Sequence, residues 1–284
     1  MNIQPVAQAD RRPTEGFVRP MLATPMPVGS DVSTFATSAW AMEEKFDGHR
    51  VVIVVGSNGE VTGWSRPRGH EAPLRRALPT HIVDVLETFP WGTYDGELIV
   101  PGGKSFDVTC LSSAGRHVLV VFDVLRLLGD DVTRDSYAVR RGYLASIGEV
   151  RGGTAVRLSE SGPVSAARVK AIWTRGGEGA ILKRLAAPYQ AGARSKDWIK
   201  VKACATDVLT VVGYEAGKCG PYSKVVLRDA TGRETTVKTL DARELRNIAE
   251  NPASYVGRKL RIEFQELTPD GRYRHGHWDR WEDV

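Results

Sequence analysis

The chain has 284 residues, 42% hydrophobic and 26% charged, a composition typical of a globular protein large enough for two domains. No apolar run approaches the roughly 20 residues of a membrane-spanning helix, so we expect no membrane role. The net charge of +5 is compatible with a polyanionic partner but does not prove one. Three cysteines without metal-type spacing indicate neither a disulfide framework nor a zinc site.

The chain begins with a polar stretch, residues 1–18, that we expect to be a disordered tail. This stretch lacks the apolar core of a signal peptide, which predicts a cytoplasmic protein. Residues 13–30 contain several prolines and predict an irregular segment that packs on the first domain.

The most informative stretch is Lys45-Phe46-Asp47-Gly48-His49-Arg50, which is followed by five consecutive β-branched residues. On extended backbone, Lys45 and Asp47 project from the same face because strand side chains alternate. Gly48 lets the backbone turn or approach a ligand closely, and Arg50 begins a buried strand. The resulting amine, carboxylate and guanidinium suit a bound phosphate. The alternative is an exposed strand end with an ordinary lysine–aspartate pair.

Hydrophobic periodicity predicts the other regular elements of the first two hundred residues. They are strands near residues 50–55, 60–65 and 117–125 and helices near residues 81–89, 136–148 and 163–175. Pro90 ends the first of these helices.

After Lys202 the pattern changes to short alternating strands with one helical segment. The strands are expected at about 206–214, 223–229, 234–238 and 258–267, and the helix near 241–250. Several short strands with one helix favour a small β-barrel, for which the OB-fold is the natural candidate. We therefore predict an α+β protein, with antiparallel sheets and helices over residues 19–203 and an OB-fold over residues 204–284.

The Lys-x-Asp-Gly-x-Arg pattern resembles motif I of the covalent nucleotidyltransferases, which comprise ATP-dependent DNA ligases, RNA ligases and mRNA capping enzymes. Five further segments resemble later motifs of that superfamily and occur in its order. They are Ser65-Arg66, Asp95-Gly96-Glu97, Phe122-Asp123, Glu178-Gly179 followed by Lys183, and Arg194 to Lys202. The series is most similar to the compact bacterial and phage ATP-dependent DNA ligases.

The resemblance implies an adenylation (nucleotidyltransferase) domain in front of the OB-fold and a role for each motif. Lys45 would take AMP from ATP as a covalent lysyl-AMP, since a lysine amine becomes nucleophilic once cations, a metal or burial lower its pKa from about 10.4. Mg²⁺, for which Mn²⁺ can substitute, would be bound by Asp47, Glu97 and Glu178. Glu43 would hold the adenine edge and Phe122 the purine face. The other nucleotide-binding residues implied are Arg50, Arg66, Glu97, Arg194, Lys200 and Lys202.

The function implied is an ATP-dependent DNA ligase that seals nicked double-stranded DNA in replication, repair or recombination. It would act as a monomer in a bacterial cytoplasm or a phage-infected cell. The C-terminus departs from the motif VI of small ligases, and Arg274 and Arg280 are the candidates for its cations. An mRNA capping guanylyltransferase and an RNA ligase are the alternatives. A catalytically inactive OB protein that binds nucleic acid is the rival from another class, although binding alone needs no nucleophilic lysine.

Overall fold

The chain divides into two compact units, Met1–Val201 and Lys202–Val284. The computed structural model describes residues 16–26, 31–67, 69, 71–151, 154–202, 205–217, 220–237, 242–264, 266–267, 272–274 and 276–282. Residues 203 and 204 lie outside these ranges, so the domain limits 19–203 and 204–284 stay a prediction. None of the helices in the described ranges is long and apolar enough to cross a membrane.

The first unit contains every strand and helix that periodicity predicts for it. Its strands are β1 (Leu22–Pro25), β2 (Trp40–Lys45), β3 (His49–Val55), β4 (Val61–Ser65), β5 (Arg75–Arg76), β6 (Gly92–Ile99), β7 (Val118–Leu127), β8 (Asp130–Asp131), β9 (Val156–Leu158), β10 (Gly162–Pro163), β11 (Gly179–Arg184) and β12 (Arg194–Lys202). Its α-helices are α1 (Thr80–Leu86), α2 (Tyr137–Arg151) and α3 (Ala166–Thr174).

One expectation for this unit is wrong. The segment around residues 22–25 is not irregular, because it forms β1 and pairs in parallel with β12. β1 is the outermost strand of its sheet, and an edge strand tolerates a proline such as Pro25 because one side of its backbone needs no partner.

The strands of the first unit form two sheets. The first sheet has the order β1-β12-β11-β2-β10, and the second has the order β5-β4-β3-β6-β7-β8 with β9 beside β7. Because β2 lies in one sheet and β3 in the other, the chain crosses between the sheets from Lys45 to His49. The lysine of the six-residue motif therefore stands at the junction of the two sheets.

In each of the two sheets, helices cover one face and leave the other face available for a functional site. Met42, Leu182 and Val201 of the first sheet are buried against residues of α3. In the second sheet, apolar residues of β3, β6 and β7 are buried with residues of α1 and α2. The other faces meet in an aromatic core, where Phe122 of β7 and Trp198 of β12 are buried together. We call the face of the first sheet turned away from α3 the inner face.

The second unit is built from short antiparallel strands and one α-helix. They are β13 (Ala205–Gly217), β14 (Gly220–Arg228), β15 (Glu234–Val237), α4 (Ala242–Glu250), β16 (Lys259–Phe264), β17 (Glu266–Leu267), β18 (Tyr273–Arg274) and β19 (His277–Trp281). Five of the strands form a sheet in the order β15-β14-β13-β16-β19. Leu209, Val225 and Ile262 of this sheet bury Ile248 of α4. The predicted α+β class is confirmed, and the five-stranded sheet of the second unit is partly consistent with the predicted OB-fold.

An ion pair without solvent contact joins α2 to the second sheet. Asp123 of β7 accepts hydrogen bonds from Arg140 Nε at 2.7 Å and from Nη2 at 3.0 Å, and both side chains are fully buried. The remaining guanidinium nitrogen of Arg140 donates to the carbonyl oxygen of Asp135 at 2.6 Å. All three nitrogens of this buried guanidinium are therefore hydrogen-bonded, which fixes α2 on the sheet.

We predict that Asp123→Ala lowers the free energy of unfolding by about 3–5 kcal/mol, because it leaves the Arg140 charge buried without a partner. Urea denaturation followed by tryptophan fluorescence measures the change. The matched control is Glu234→Ala, which breaks an ion pair with Arg228 in which both side chains are about half exposed. That change should cost no more than about 1 kcal/mol. Equal losses in the two variants would contradict the structural role of the buried pair.

Candidate active site

Lys45 is the last residue of β2 and its side chain is partly exposed. Its Nζ donates a hydrogen bond to Oε2 of Glu178, with which it forms an ion pair. Glu178 directly precedes β11, and Gly179 of that strand pairs with Lys45 across the sheet. Gly48 completes the turn into β3, where a Cβ atom would collide with the carbonyl oxygen of Leu98. The glycine of the motif is thus required by the close approach of two backbones.

Two further lysines lie on the same face as Lys45. Ile199 and Val201 of β12 belong to the core packed against α3. Because side chains alternate along a strand, Lys200 and Lys202 point to the inner face. Both are half-buried. Together with Lys45 they place three ammonium groups on one face, and cations form strong hydrogen bonds with phosphate oxygens, so this face is suited to bind a phosphate.

Glu43, the residue expected to hold the adenine edge, is 2% exposed and lies two residues before Lys45. Its Oε1 accepts a hydrogen bond from Lys183 Nζ at 2.9 Å and another from the hydroxyl group of Tyr137. Burial lowers the pKa of Lys183, and the charge of Glu43 opposes this shift. Burial, followed by the charge of Glu43, raises the pKa of Tyr137 well above its usual value. Lys183 and Tyr137 were not predicted as site residues.

Arg50 is held by a second network at the start of β3. Its Nε and Nη2 donate to the two oxygens of Asp95 at 2.5 and 2.6 Å, a bidentate arrangement. The Tyr189 hydroxyl also donates to Asp95, at 2.5 Å, and accepts from the backbone nitrogen of Met21 at 2.8 Å. Burial lowers the pKa of Arg50, but the charge and hydrogen bonds of Asp95 outweigh it and raise the pKa overall. The guanidinium is thereby fixed as a cation.

Phe122 lies in the aromatic core and is only 8% exposed. The guanidinium carbon of Arg50 is 4.6 Å from the centroid of its ring, and Lys183 Nζ is 4.8 Å from it. Trp198 meets the ring edge-on, with 6.2 Å between the centroids. Stacking of Phe122 on a purine stays a prediction.

The acidic residues expected to bind a metal lie around Lys45. Glu97 of β6 is half-buried and pairs with Arg50 across the second sheet. Lys45, Arg50 and Glu178 all act electrostatically on Glu97, which places their charges within range of its carboxylate. Asp47 is half-buried in the turn between β2 and β3. Lys45, Glu97 and Glu178 are therefore brought together from three separate stretches of the chain.

The remaining predicted site residues are arginines in more open positions. Arg66 is exposed just after β4. Arg194 is exposed at the start of β12, and its Nη1 donates to the carbonyl oxygen of Ala23 at 2.5 Å, which ties β12 to the edge strand β1. In the second unit, Arg280 of β19 is 60% exposed and bonds Glu282 at 3.3 Å. The side chain of Arg274 lies outside the described residues.

Four residues that organise this site were not singled out as site residues by the sequence. Asp95 and Lys183 each stand inside a segment that resembles a family motif, so a search for partners of Arg50 and Glu43 could have found them. No local sequence pattern indicates Tyr137 or Tyr189, because the carboxylates that accept their hydrogen bonds are 94 residues away in sequence.

Comparison with known proteins gives the family. Residues 20–202 match the family model of the ATP-dependent DNA ligase domain. A probable DNA ligase of Anaeromyxobacter sp. is 31% identical over an alignment of 217 positions, which covers 70% of this chain and 41% of that protein. The multifunctional non-homologous end joining protein LigD of Mycobacterium bovis is 30% identical over an alignment of 300 positions, which covers 91% of this chain and 38% of that protein. The chain thus spans about two fifths of the length of these relatives.

Solved structures agree with this assignment. The ligase domain of LigD from M. tuberculosis superposes with a TM-score of 0.56 at 25% identity, covering 94% of this chain and 95% of that one. A Lig E DNA ligase superposes with a TM-score of 0.67 at 20% identity, covering 92% and 99%, and shows the likeness of the fold. With its lysine motif at the junction of two sheets and a family match over most of the first unit, the chain belongs to the ATP-dependent DNA ligase domain family.

Proposed function

We propose that the chain is an ATP-dependent DNA ligase that seals nicks in double-stranded DNA, with Lys45 as the residue that carries AMP. Family membership supports the use of ATP and the action on DNA. The observation that carries the proposal is the convergence of Lys45 and Glu178 with Glu97 of the second sheet, beside the inner face that also presents Lys200 and Lys202. A nucleophile, two carboxylates and two cations are the groups that transfer of a nucleotidyl group requires.

The reaction would proceed through three substitutions at phosphorus. Lys45 Nζ attacks the α-phosphorus of ATP, the bond from that phosphorus to the bridging oxygen breaks, and pyrophosphate leaves. An oxygen of the 5′-phosphate at the nick attacks the same phosphorus, and the phosphorus–nitrogen bond breaks to restore the amine. The 3′-hydroxyl then attacks the 5′-phosphorus, and AMP leaves as the strand is sealed.

Each residue of the site has a part in these steps. Glu178 holds Lys45 Nζ in place through their hydrogen bond and is the nearest carboxylate to the proton that the amine must lose. Lys200 and Lys202 would bind the transferred phosphate, since their ammonium groups offset its negative charge as it is attacked. Arg50, fixed by Asp95, would contact the ribose together with Glu97.

The acidic residues fit a divalent cation. The described residues contain no cluster of three or more His, Cys, Asp or Glu side chains that could hold a metal without help. Mg²⁺ commonly binds through one or two carboxylates together with substrate phosphates and water, and Glu97 and Glu178 supply such a pair. When bound, the ion would neutralise charge on the phosphates. Burial raises the pKa of Glu97 to about 7, although the charges of Arg50 and Lys45 lower it.

The alternatives are an mRNA capping guanylyltransferase and an RNA ligase. Neither is favoured, because the matching family and the relatives described above are DNA ligases. The inactive OB protein is also not favoured, since the inner face keeps the lysine and the carboxylates together.

The first prediction concerns the nucleophile. Incubation with α-labelled ATP and Mg²⁺, followed by a denaturing gel, should leave label on the unmodified protein. Lys45→Ala should retain no label and seal no nick, because the amine that forms the covalent bond is absent. Lys224→Ala, which removes an exposed lysine of β14, is the control and should be labelled normally. Label on Lys45→Ala would exclude this residue as the carrier of AMP.

The second prediction concerns the C-terminal arginines. Motif VI cations of the family orient the pyrophosphate, so Arg274→Ala and Arg280→Ala should slow adenylation on the order of a hundredfold. Sealing of a nick that already carries AMP should continue at nearly the normal rate. The ratio of the two rates is the measurement, with Arg228→Ala as an exposed control in the same unit. A similar loss in both steps would assign these arginines to structure or to DNA binding.

The third prediction concerns pH and uses the protein in EDTA, without metal. The pKa of Glu97 is about 7 in the folded protein and near 4.5, the ordinary value, in the unfolded chain. Between these pH values the folded state binds more protons than the unfolded state, so the free energy of unfolding falls as pH rises. Glu97→Gln has no titratable group at this position, so its free energy of unfolding should not show this decrease.

The variant should therefore be more stable than the parent by about 3 kcal/mol at pH 8, since one pKa unit corresponds to about 1.4 kcal/mol. Near pH 4.5 the two proteins should be similar in stability. Urea denaturation at both pH values tests this, and a stability difference that does not change with pH would contradict the raised pKa of Glu97.

A further inference from the structure

Arg19 lies in the segment that leads into β1, and its side chain is exposed. Its guanidinium donates one hydrogen bond from Nη1 to the carbonyl oxygen of Gly69 at 3.3 Å and another from Nη2 to that of Glu71 at 3.1 Å. Both acceptors belong to the loop between β4 and β5, 50 and 52 residues away in sequence, so the contact is a tertiary one. Arginine suits this contact because its donors point in fixed directions from one planar group, whereas a lysine presents a single ammonium. Arg19 therefore holds the outer part of this loop.

The backbone of Arg19 is fixed at the turn before β12. Its carbonyl oxygen accepts a hydrogen bond from the backbone nitrogen of Gly192 at 3.0 Å, and the backbone nitrogen of Leu22 donates to the carbonyl oxygen of Ala193 at 2.8 Å. Gly192 has a φ of 72°, and a Cβ atom there would lie 3.4 Å from the Cβ atom of Arg19, so the two backbones approach closely. The guanidinium thus reaches the loop from a backbone that is held against the first sheet.

The loop that Arg19 holds carries Arg66, which is exposed just after β4. Two hydrogen bonds close the base of the loop, from the backbone nitrogen of Ser65 to the carbonyl oxygen of Leu74 at 2.9 Å and from the backbone nitrogen of Leu74 to Ser65 Oγ at 3.2 Å. These bonds fix the two ends of the loop, and the bonds from Arg19 fix its outer part. Arg66 therefore follows a fixed base and precedes a fixed outer part, which restricts the directions that its guanidinium can take.

The same segment also holds Arg194, a second exposed arginine. Arg194 Nη1 donates to the carbonyl oxygen of Ala23 at 2.5 Å. Arg66 is tied to residues 19–23 through its loop, and Arg194 is tied to them through its side chain. Guanidinium groups bind phosphate oxygens through two parallel hydrogen bonds. Two such groups in restricted positions lose less conformational entropy when they bind the phosphates of one nucleic acid.

We propose that Arg19 is a positioning residue for the DNA substrate, which holds the loop after β4 so that Arg66 meets the phosphate backbone of nicked DNA together with Arg194. The inference rests on the proposed action on nicked DNA. Without Arg19, the guanidinium of Arg66 could take many more directions, and the entropy lost in ordering the loop would oppose DNA binding. ATP and DNA both carry phosphates, so the binding of both ligands has to be measured.

The main measurement is the dissociation constant for a nicked duplex, determined by fluorescence anisotropy at one salt concentration because phosphate contacts depend on salt. All proteins carry Lys45→Ala, so that no strand is sealed during the titration. Arg19→Ala should weaken binding about tenfold, the loss expected when two hydrogen bonds no longer order a contact. Arg19→Lys should recover little of this loss, because one ammonium cannot hold two carbonyl oxygens in the guanidinium geometry. A residue that acted on DNA only through its charge would be replaced well by lysine.

A double-mutant cycle shows whether Arg19 acts through Arg66. When Arg66→Ala is already present, Arg19→Ala should weaken DNA binding no more than about twofold, because the effects of two residues that serve one contact are not additive. The matched control is Arg184→Ala, which removes a half-exposed arginine of the first unit that pairs with Asp197 instead of the loop. This variant should bind the nicked duplex as the parent does.

Cleavage after Glu71 by a glutamyl endopeptidase measures the order of the loop without any DNA. Cleavage of a loop follows the population of its open form, so the loss of two hydrogen bonds should raise the rate about tenfold in Arg19→Ala. Arg184→Ala should be cleaved at the rate of the parent. Because this measurement does not depend on ligase activity, it tests the hold of Arg19 on the loop by itself.

Unchanged DNA binding in Arg19→Ala would overturn the inference, and so would losses that add in the double variant or a full recovery in Arg19→Lys. Weaker binding of ATP with unchanged binding of DNA, measured by isothermal titration calorimetry, would also overturn it and assign the arginines to the nucleotide. If circular dichroism shows that Arg19→Ala does not fold, Arg19→Lys decides, since it should also weaken DNA binding. Labelling from ATP and sealing of nicks by the unmodified chain test the proposed function separately. Normal labelling and sealing with unchanged DNA binding in the variants would count against Arg19 alone.

Discussion

Charged side chains removed from water must be paired, and in the first unit this requirement fixes the charged groups around the active site. The pairs Glu43–Lys183, Arg50–Asp95 and Asp123–Arg140 all involve a strand residue that is buried or nearly so. Each pair joins segments distant in sequence, and Lys183 also bonds the carbonyl oxygen of Phe122 in the opposite sheet. Loss of one partner would leave an uncompensated buried charge. These pairs therefore hold the side chains around the site in fixed positions.

This arrangement gives Lys45 a position that differs from theirs in one respect. Its side chain and that of its partner Glu178 are both partly exposed, whereas each of the other pairs contains a side chain that is at most 2% exposed. An ion pair in which both partners have solvent access can open when a charged substrate arrives, whereas a pair with one enclosed partner stays closed. The fixed pairs therefore provide a rigid frame, and the Lys45–Glu178 pair is the part that can exchange partners during a reaction.

The periodic elements and the order of the motifs were predictable, because both depend on residues close together in sequence. The strand β3 follows from five β-branched residues, and α2 follows from its apolar spacing. The pairing of Arg50 with Asp95 was not predictable, because the partners are 45 residues apart and only the sheet register brings them together. The strand β1 was missed for a similar reason, since its partner β12 lies some 170 residues later.

The same distinction between local and distant residues applies to the site. Lys45, Glu97 and Glu178 were named from local motifs, and the fold brings them together. Glu43 was also named, but its partners Lys183 and Tyr137 emerged only from the packing of β11 and α2 against β2. Sequence motifs mark the groups that would touch the nucleotide, whereas the residues that orient those groups are visible only in three dimensions.

The position of the covalent nucleotide can be read most directly by tandem mass spectrometry of peptides from the unmodified protein after incubation with ATP and Mg²⁺. Lys45 as the carrier of AMP predicts a single modified peptide that contains the Lys45-Phe46-Asp47-Gly48 run, with the added mass on the lysine. AMP attached to another lysine, such as Lys183 or Lys200, or no modified peptide under conditions in which the protein seals nicked DNA, would contradict this assignment.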